Sequence, residues 1–151
     1  MIKVYVWLPD EKHVGHCALS LRDVYVSFWP DGTATAKDIK IKRSQPGKLV
    51  QSFALDVENE GNRQPITVEL YNLDAGPVLA YIDTLQKNTP RYQIARNNCS
   101  HIVAYALMAG AKRGPSFIPN AGHYGHMARV LGLGIWPPDQ VLRFAKELKF
   151  V

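Results

Sequence analysis

Cysteine is scarce in this chain, with two among 151 residues, Cys17 and Cys99. Two thiols do not make a disulfide framework, and a chain of this length can bury a sizeable core without cross-links. The low count fits synthesis in a reducing cytosol. Long apolar runs are missing too. Nothing approaches the roughly 20 residues that a membrane-spanning helix needs, so no integral membrane segment is expected. The stretch Met1 to Pro9 is too short and too aromatic for a cleaved signal peptide, and export by a machinery that needs none stays compatible with the sequence. Charge of one sign is not concentrated. Lys and Arg number 18 against 13 Asp and Glu, for a net charge of +5, and they are scattered. The densest basic group, residues 37–43, is too short for a nucleic-acid surface. There is no internal repeat and no low-complexity tail. The expectation is one domain over residues 1–151, cytoplasmic as synthesised.

Hydrophobic periodicity supplies the elements. Residues 2–8 alternate and are rich in β-branched and aromatic types, which predicts a strand ended by Pro9-Asp10. Residues 12–21 and 24–29 predict two more, joined as a hairpin across a short polar break. Pro30-Asp31-Gly32 then signals a turn. A polar excursion over 31–64 follows, with short strands expected at 38–42 and 50–57. Long excursions of this kind often border a site. Residues 66–71 alternate as a strand, and Asn72-Leu73-Asp74 caps a helix over 75–87 with Val78, Leu79, Ile82 and Leu85 on one face. A weak helix is expected at 124–131, and a last one from Pro138-Asp139 that buries Val141, Leu142, Ala145 and Leu148.

The chemistry centres on Arg96-Asn97-Asn98-Cys99-Ser100-His101. Asparagine is a preferred helix N-cap, and Ile102, Val103, Ala106 and Leu107 follow at helical spacing up to a plausible stop at Gly110. A free cysteine ordinarily serves as a small apolar filler. On the first turn of a helix, unpaired amides and the positive end of the dipole favour the thiolate instead. Cys99 is therefore the candidate nucleophile.

A thiolate nucleophile needs an imidazole, and the imidazole needs a group to orient it. His16 is the preferred base. It lies mid-strand beside Gly15, which would leave the approach open. Alternation sets His16 and Ala18 on one face and turns Cys17 and Leu19 to the other, so Cys17 reads as core. A hairpin pivoting on Leu21-Arg22 would put Ser27 opposite His16 as the orienting group, and a shift of one residue would put Phe28 there. His13 is the alternative base. His101, about 200° around the helix from Cys99, reads as packing or hydrogen bonding beneath it. The Cys99 amide is a candidate oxyanion donor, with Asn97 and Asn98 as side-chain alternatives whose simpler role is capping. His123 and His126 lack a third neighbouring ligand, so no metal and no cofactor is expected. Trp7, Tyr25, Trp29 and Trp136 read as core or cleft wall.

Gly15-His16-Cys17-Ala18-Leu19-Ser20-Leu21, then Tyr25-Val26-Ser27-Phe28-Trp29-Pro30, then Asn98-Cys99-Ser100-His101 opening a helix, together resemble the circularly permuted papain-like cysteine hydrolases. That group includes the lecithin:retinol acyltransferase-like enzymes and permuted deubiquitinase-like peptidases, in which the histidine strand precedes the cysteine helix. The resemblance covers about a third of the chain. It implies an α+β fold with an antiparallel sheet packed against a helix carrying Cys99, with His16 as base. It implies cleavage of an amide bond in a peptide, protein or cell-wall substrate. A bacterial effector toxin held by an immunity or inhibitor protein is one setting. A thioesterase or acyltransferase, and an inactive binding module on the same scaffold, are the alternatives. The acyltransferase branch has a second histidine where an ungapped match gives Phe28, and no C-terminal membrane helix is seen here.

Overall fold

The computed structural model describes residues 1–31, 44–93, 97–121 and 134–150. Five strands form one antiparallel sheet: β1 (Ile2–Trp7), β2 (His16–Leu21), β3 (Val24–Pro30), β4 (Gly47–Val50) and β5 (Ile66–Leu70), in the order β4-β3-β2-β1-β5. Four helices are described: α1 (Phe53–Asn59), α2 (Ala75–Lys87), α3 (Cys99–Ala111) and α4 (Pro138–Lys149). The fold is α+β. Among the described residues no helix is long and apolar enough to cross a membrane. The strands expected at 38–42 and the helix at 124–131 lie outside the described residues, as do His123 and His126.

The two faces of the sheet carry different chemistry, as a period of two requires. Ile2, Val4, Val6, Cys17, Leu19, Leu21, Val26, Phe28, Val68 and Leu70 are buried in the main core. Helix α3 packs against β2 and β3 on this side, α4 against β1 and β5, and α2 against α3. Nine residues of α3 are buried, so its sequence reads as apolar nearly all round. At Gly110 an added Cβ would sit 2.7 Å from Val78 Cγ2 on α2. That glycine serves the close helix crossing. The helix runs one residue further, and its left-handed cap is Lys112 at φ 58°. The opposite face presents Tyr5, Trp7, His16, Ser20, Tyr25 and Ser27, and here α1 lies across the sheet. Phe53 packs on Tyr5, Trp7 and Tyr25 with ring centroids 5.2, 6.1 and 6.1 Å apart.

Three local expectations need correction. Strand β2 starts only at His16. Residues 12–15 form a turn in which Asp10 Oδ1 accepts from the amides of Lys12 and His13. The β2–β3 hairpin pivots on Arg22-Asp23, with Arg22 in the left-handed region at φ 56°. Ser27 consequently pairs with Ala18, two positions from the register expected. A two-residue shift preserves the face, so Ser27 still shares the His16 side. Finally, 50–57 is mostly helix. Ser52 caps α1 by accepting from the Leu55 amide at 3.2 Å.

Gly15 has a backbone reason to be glycine. Its φ is +87°, and a Cβ there would meet the Trp7 carbonyl oxygen at 2.7 Å. It sets the turn that delivers His16 to the sheet and leaves no open approach, since Pro9 and Pro138 also crowd the spot. Gly15→Ala is expected to cost about 2 kcal/mol through φ strain and overlap. Denaturant titration checks this.

Candidate active site

Helix α3 begins where the Asn-Cys pair predicts. Asn98 Oδ1 accepts from the His101 amide at 2.9 Å, and His101 Nδ1 accepts from the Asn98 amide at 3.2 Å, a reciprocal cap. The cap places Cys99 at the first helical position. It also defines His101, which is turned away from the sulfur and must keep Nδ1 unprotonated to accept. Burial pushes the His101 pKa down to about 4, which suits that role.

His16, at the first position of β2, is 1% exposed. Its Nε2 lies 2.7 Å from Ser27 Oγ and 3.2 Å from Asp56 Oδ2. The Trp29 indole stacks on the imidazole at 4.2 Å and 20°, an arrangement that favours the cationic ring and shuts out water. Asp56, on α1, is fully buried. Tyr25 donates to its Oδ2 at 2.5 Å and Trp29 Nε1 to its Oδ1 at 2.8 Å. Tyr25, Ser27 and Trp29 occupy alternate positions on one face of β3. One strand thus supplies two donors to the carboxylate and a hydroxyl to its imidazole partner.

Burial opposes the charge on both partners, and their interactions overcome it. For His16, desolvation is the largest influence and lowers the pKa. The charge of Cys99, the hydrogen bond to Asp56, the hydrogen bond to Cys99 and the Asp56 charge raise it to about 10. For Asp56, desolvation again comes first and opposes ionisation. The bonds and charge from His16, with the hydroxyls of Ser27 and Tyr25, hold its carboxyl below the usual range. Cys99 thus acts on the protonation of His16 from nearby, and Nε2 is engaged by Ser27 and Asp56.

The remaining sequence candidates fall elsewhere. His13 Nδ1 sits 2.8 Å from Asp10 Oδ1 near the surface. The side-chain amide of Asn98 donates to the Trp136 carbonyl at 3.1 Å, and that of Asn97 to the Arg91 carbonyl at 3.0 Å. Both amides are engaged in holding loops together. Cys17 is fully buried on the core face. Its Sγ accepts from Ser100 Oγ at 3.6 Å, and burial, then the charge of Cys99, push its thiol well up. Cys99 retains 6% of its surface. A cavity of about 350 Å³, lined by Met1, Lys3, Tyr5, Ser20 and Arg22, lies at the other end of β2 and touches neither Cys99 nor His16.

Asp56 is the residue that the sequence reading missed. Tyr25 and Trp29, expected as wall, are its donors. The available signal was Ser52, a helix-capping residue with an aspartate in the turn after it. No family model, curated protein or solved structure matches this chain.

The two buried histidines pull stability in opposite pH directions. His16 binds its proton more tightly when folded, so its contribution is complete below its ordinary 6.5 and is lost as the pH rises through 10. His101 binds its proton less tightly when folded. Its contribution is complete above 6.5 and is lost as the pH falls toward 4. Stability is expected to peak near pH 6.5. Urea titrations at about pH 4.5, 6.5 and 9.5 check this, and His101→Gln should flatten the acid limb.

Proposed function

We propose that this chain is a cysteine hydrolase of the permuted papain-like kind, cleaving an amide bond through a Cys99 acyl-enzyme. The observation that carries the reading is the buried Asp56–His16 pair, hydrogen-bonded between α1 and β2, whose imidazole also feels the charge of Cys99 at the tip of α3. Its parts match what the chemistry needs. A sulfur on a helix tip attacks the carbonyl carbon, and the amide at that tip faces the developing oxyanion. The imidazolium then gives its proton to the leaving nitrogen, and water, activated by the same ring, hydrolyses the thioester. Asp56 fixes the ring and stabilises its charge.

Substrates within this reading are a peptide, an isopeptide, a cell-wall peptide or a side-chain amide. The test is intact-protein mass spectrometry after incubation with peptide, peptidoglycan-fragment and acyl-thioester pools. The expected result is an acyl adduct on Cys99 that is absent in Cys99→Ala. Adducts from thioester donors alone would move the assignment to acyl transfer. No adduct from any pool, with Cys99 and Cys17 equally slow toward iodoacetamide, would leave a binding module.

A further inference from the structure

We propose that the Arg63 guanidinium positions His16 against Asp56, by clamping the segment that carries one to the segment that carries the other. The inference rests on His16 serving Cys99 as proposed above, and it adds a positioning residue outside the site. The two partners need such a device. They are 40 residues apart in sequence. His16 follows the turn that ends at Gly15, and Asp56 rides on a helix of seven residues, too short to hold itself in place. Their mutual contact is 3.2 Å long, at the edge of the hydrogen-bond range, so a small drift of either segment breaks it.

Arg63 stands where the two segments meet. Gly61 and Asn62 both adopt left-handed backbone, at φ 73° and 56°, and turn the chain back at the end of α1. On the helix side, Nε donates to the Glu60 carbonyl at 2.9 Å and Nη2 to Glu60 Oε2 at 3.1 Å. The Glu60 amide in turn donates to the Asp56 carbonyl at 3.0 Å. On the sheet side, Nη1 donates to the Leu8 carbonyl, just past β1, at 3.1 Å. Nε also lies 3.5 Å from Asp10 Oδ2. The other oxygen of Asp10 takes the Lys12 and His13 amides and shapes the turn into His16. A third tie reaches the ring's neighbour. The Arg63 carbonyl accepts from Trp7 Nε1 at 2.8 Å, and Trp7 pairs with His16 across the sheet, its indole centroid 5.6 Å from the imidazole. Glu60 is buried, so water is a poor substitute for the guanidinium. A planar fork serves both sides at once, which a lysine ammonium on a single stem does not.

Cys99 carbamidomethylation by iodoacetamide, which requires no substrate, and imidazole ¹⁵N NMR of His16 test the clamp. Arg63→Ala is expected to slow neutral-pH labelling about fivefold and to move the His16 titration to lower pH, because the Asp56 contact loosens. Arg63→Lys keeps the charge and the stem but loses the fork, and should slow labelling about threefold. It decides the matter if Arg63→Ala does not fold. Leu148→Ala, in the buried packing of α4, is the control. It lowers stability but should leave labelling and titration as in the unsubstituted chain, which separates positioning from general destabilisation. Unchanged labelling and titration in folded Arg63→Ala, full restoration by lysine, or an equal shift in Leu148→Ala would overturn the clamp. If His16→Ala itself leaves Cys99 labelling unchanged, the hydrolase reading falls. If His16→Ala slows labelling and neither Arg63 variant does, only the Arg63 role falls.

Discussion

Asp56→Ala is expected to lower stability by about 3–5 kcal/mol, a drop of about 10 °C in melting temperature for a chain of this size. The carboxylate is fully buried and receives Tyr25, Trp29 and His16. Removing it leaves a buried imidazolium without its counter-charge and the Tyr25 and Trp29 donors without their acceptor, each costly in a mostly buried site. The imidazole would respond by giving up its proton, so the His16 pKa should fall. Helix α1 would also lose the polar contacts that anchor it on β3. Asp56→Asn keeps the shape and one acceptor, and should cost less. Urea titration with NMR of His16 checks both. A loss below about 1 kcal/mol would mean that the carboxylate is solvated.

His16→Ala is expected to slow iodoacetamide labelling of Cys99 at neutral pH by at least tenfold, with Cys17 unreactive in both proteins. The imidazolium is the cation in reach of the sulfur, and the helix tip contributes only a partial charge. Removing the ring removes the neighbouring charge and proton acceptor that the proposed mechanism needs. Cys17 supplies the internal control, being fully buried with its thiol pushed up. Peptide mapping by mass spectrometry separates the two sites. Equal labelling of Cys99 with and without His16 would show that the pair does not cooperate. The same substitution should abolish any acyl adduct found with an amide substrate.

Much of this arrangement was legible locally. Asp74 and the apolar stripe set α2 at the expected residues, and Asn98 marks the start of α3. His16 and Cys17 do face opposite ways, because alternation along a strand leaves no choice. Asp56 was not legible, for two physical reasons. Phe53, Leu55 and Val57 recur every second residue, which imitates a strand, whereas Phe53 and Leu55 are partly exposed on a helix. The partner of Asp56 is also 40 residues away, and no local pattern encodes such a contact. The two-residue register error came from the turn. Arg22 takes a left-handed conformation usually given to glycine or asparagine, so its identity did not announce the pivot. Gly15 looked like an opening and is a backbone necessity, a distinction visible only once Trp7 and Pro138 are beside it.

Strand β3 alternates between two unlike partners, with Val26 and Phe28 in hydrocarbon and Tyr25, Ser27 and Trp29 around a carboxylate. A slip of one residue would strand an anion among methyl and phenyl groups while driving a phenol and a hydroxyl into oil. Misalignment is thus penalised from both sides at once. The ionised group acts as a proofreader for sheet assembly, and a chain that folds at all arrives with the His16–Asp56 corner already set.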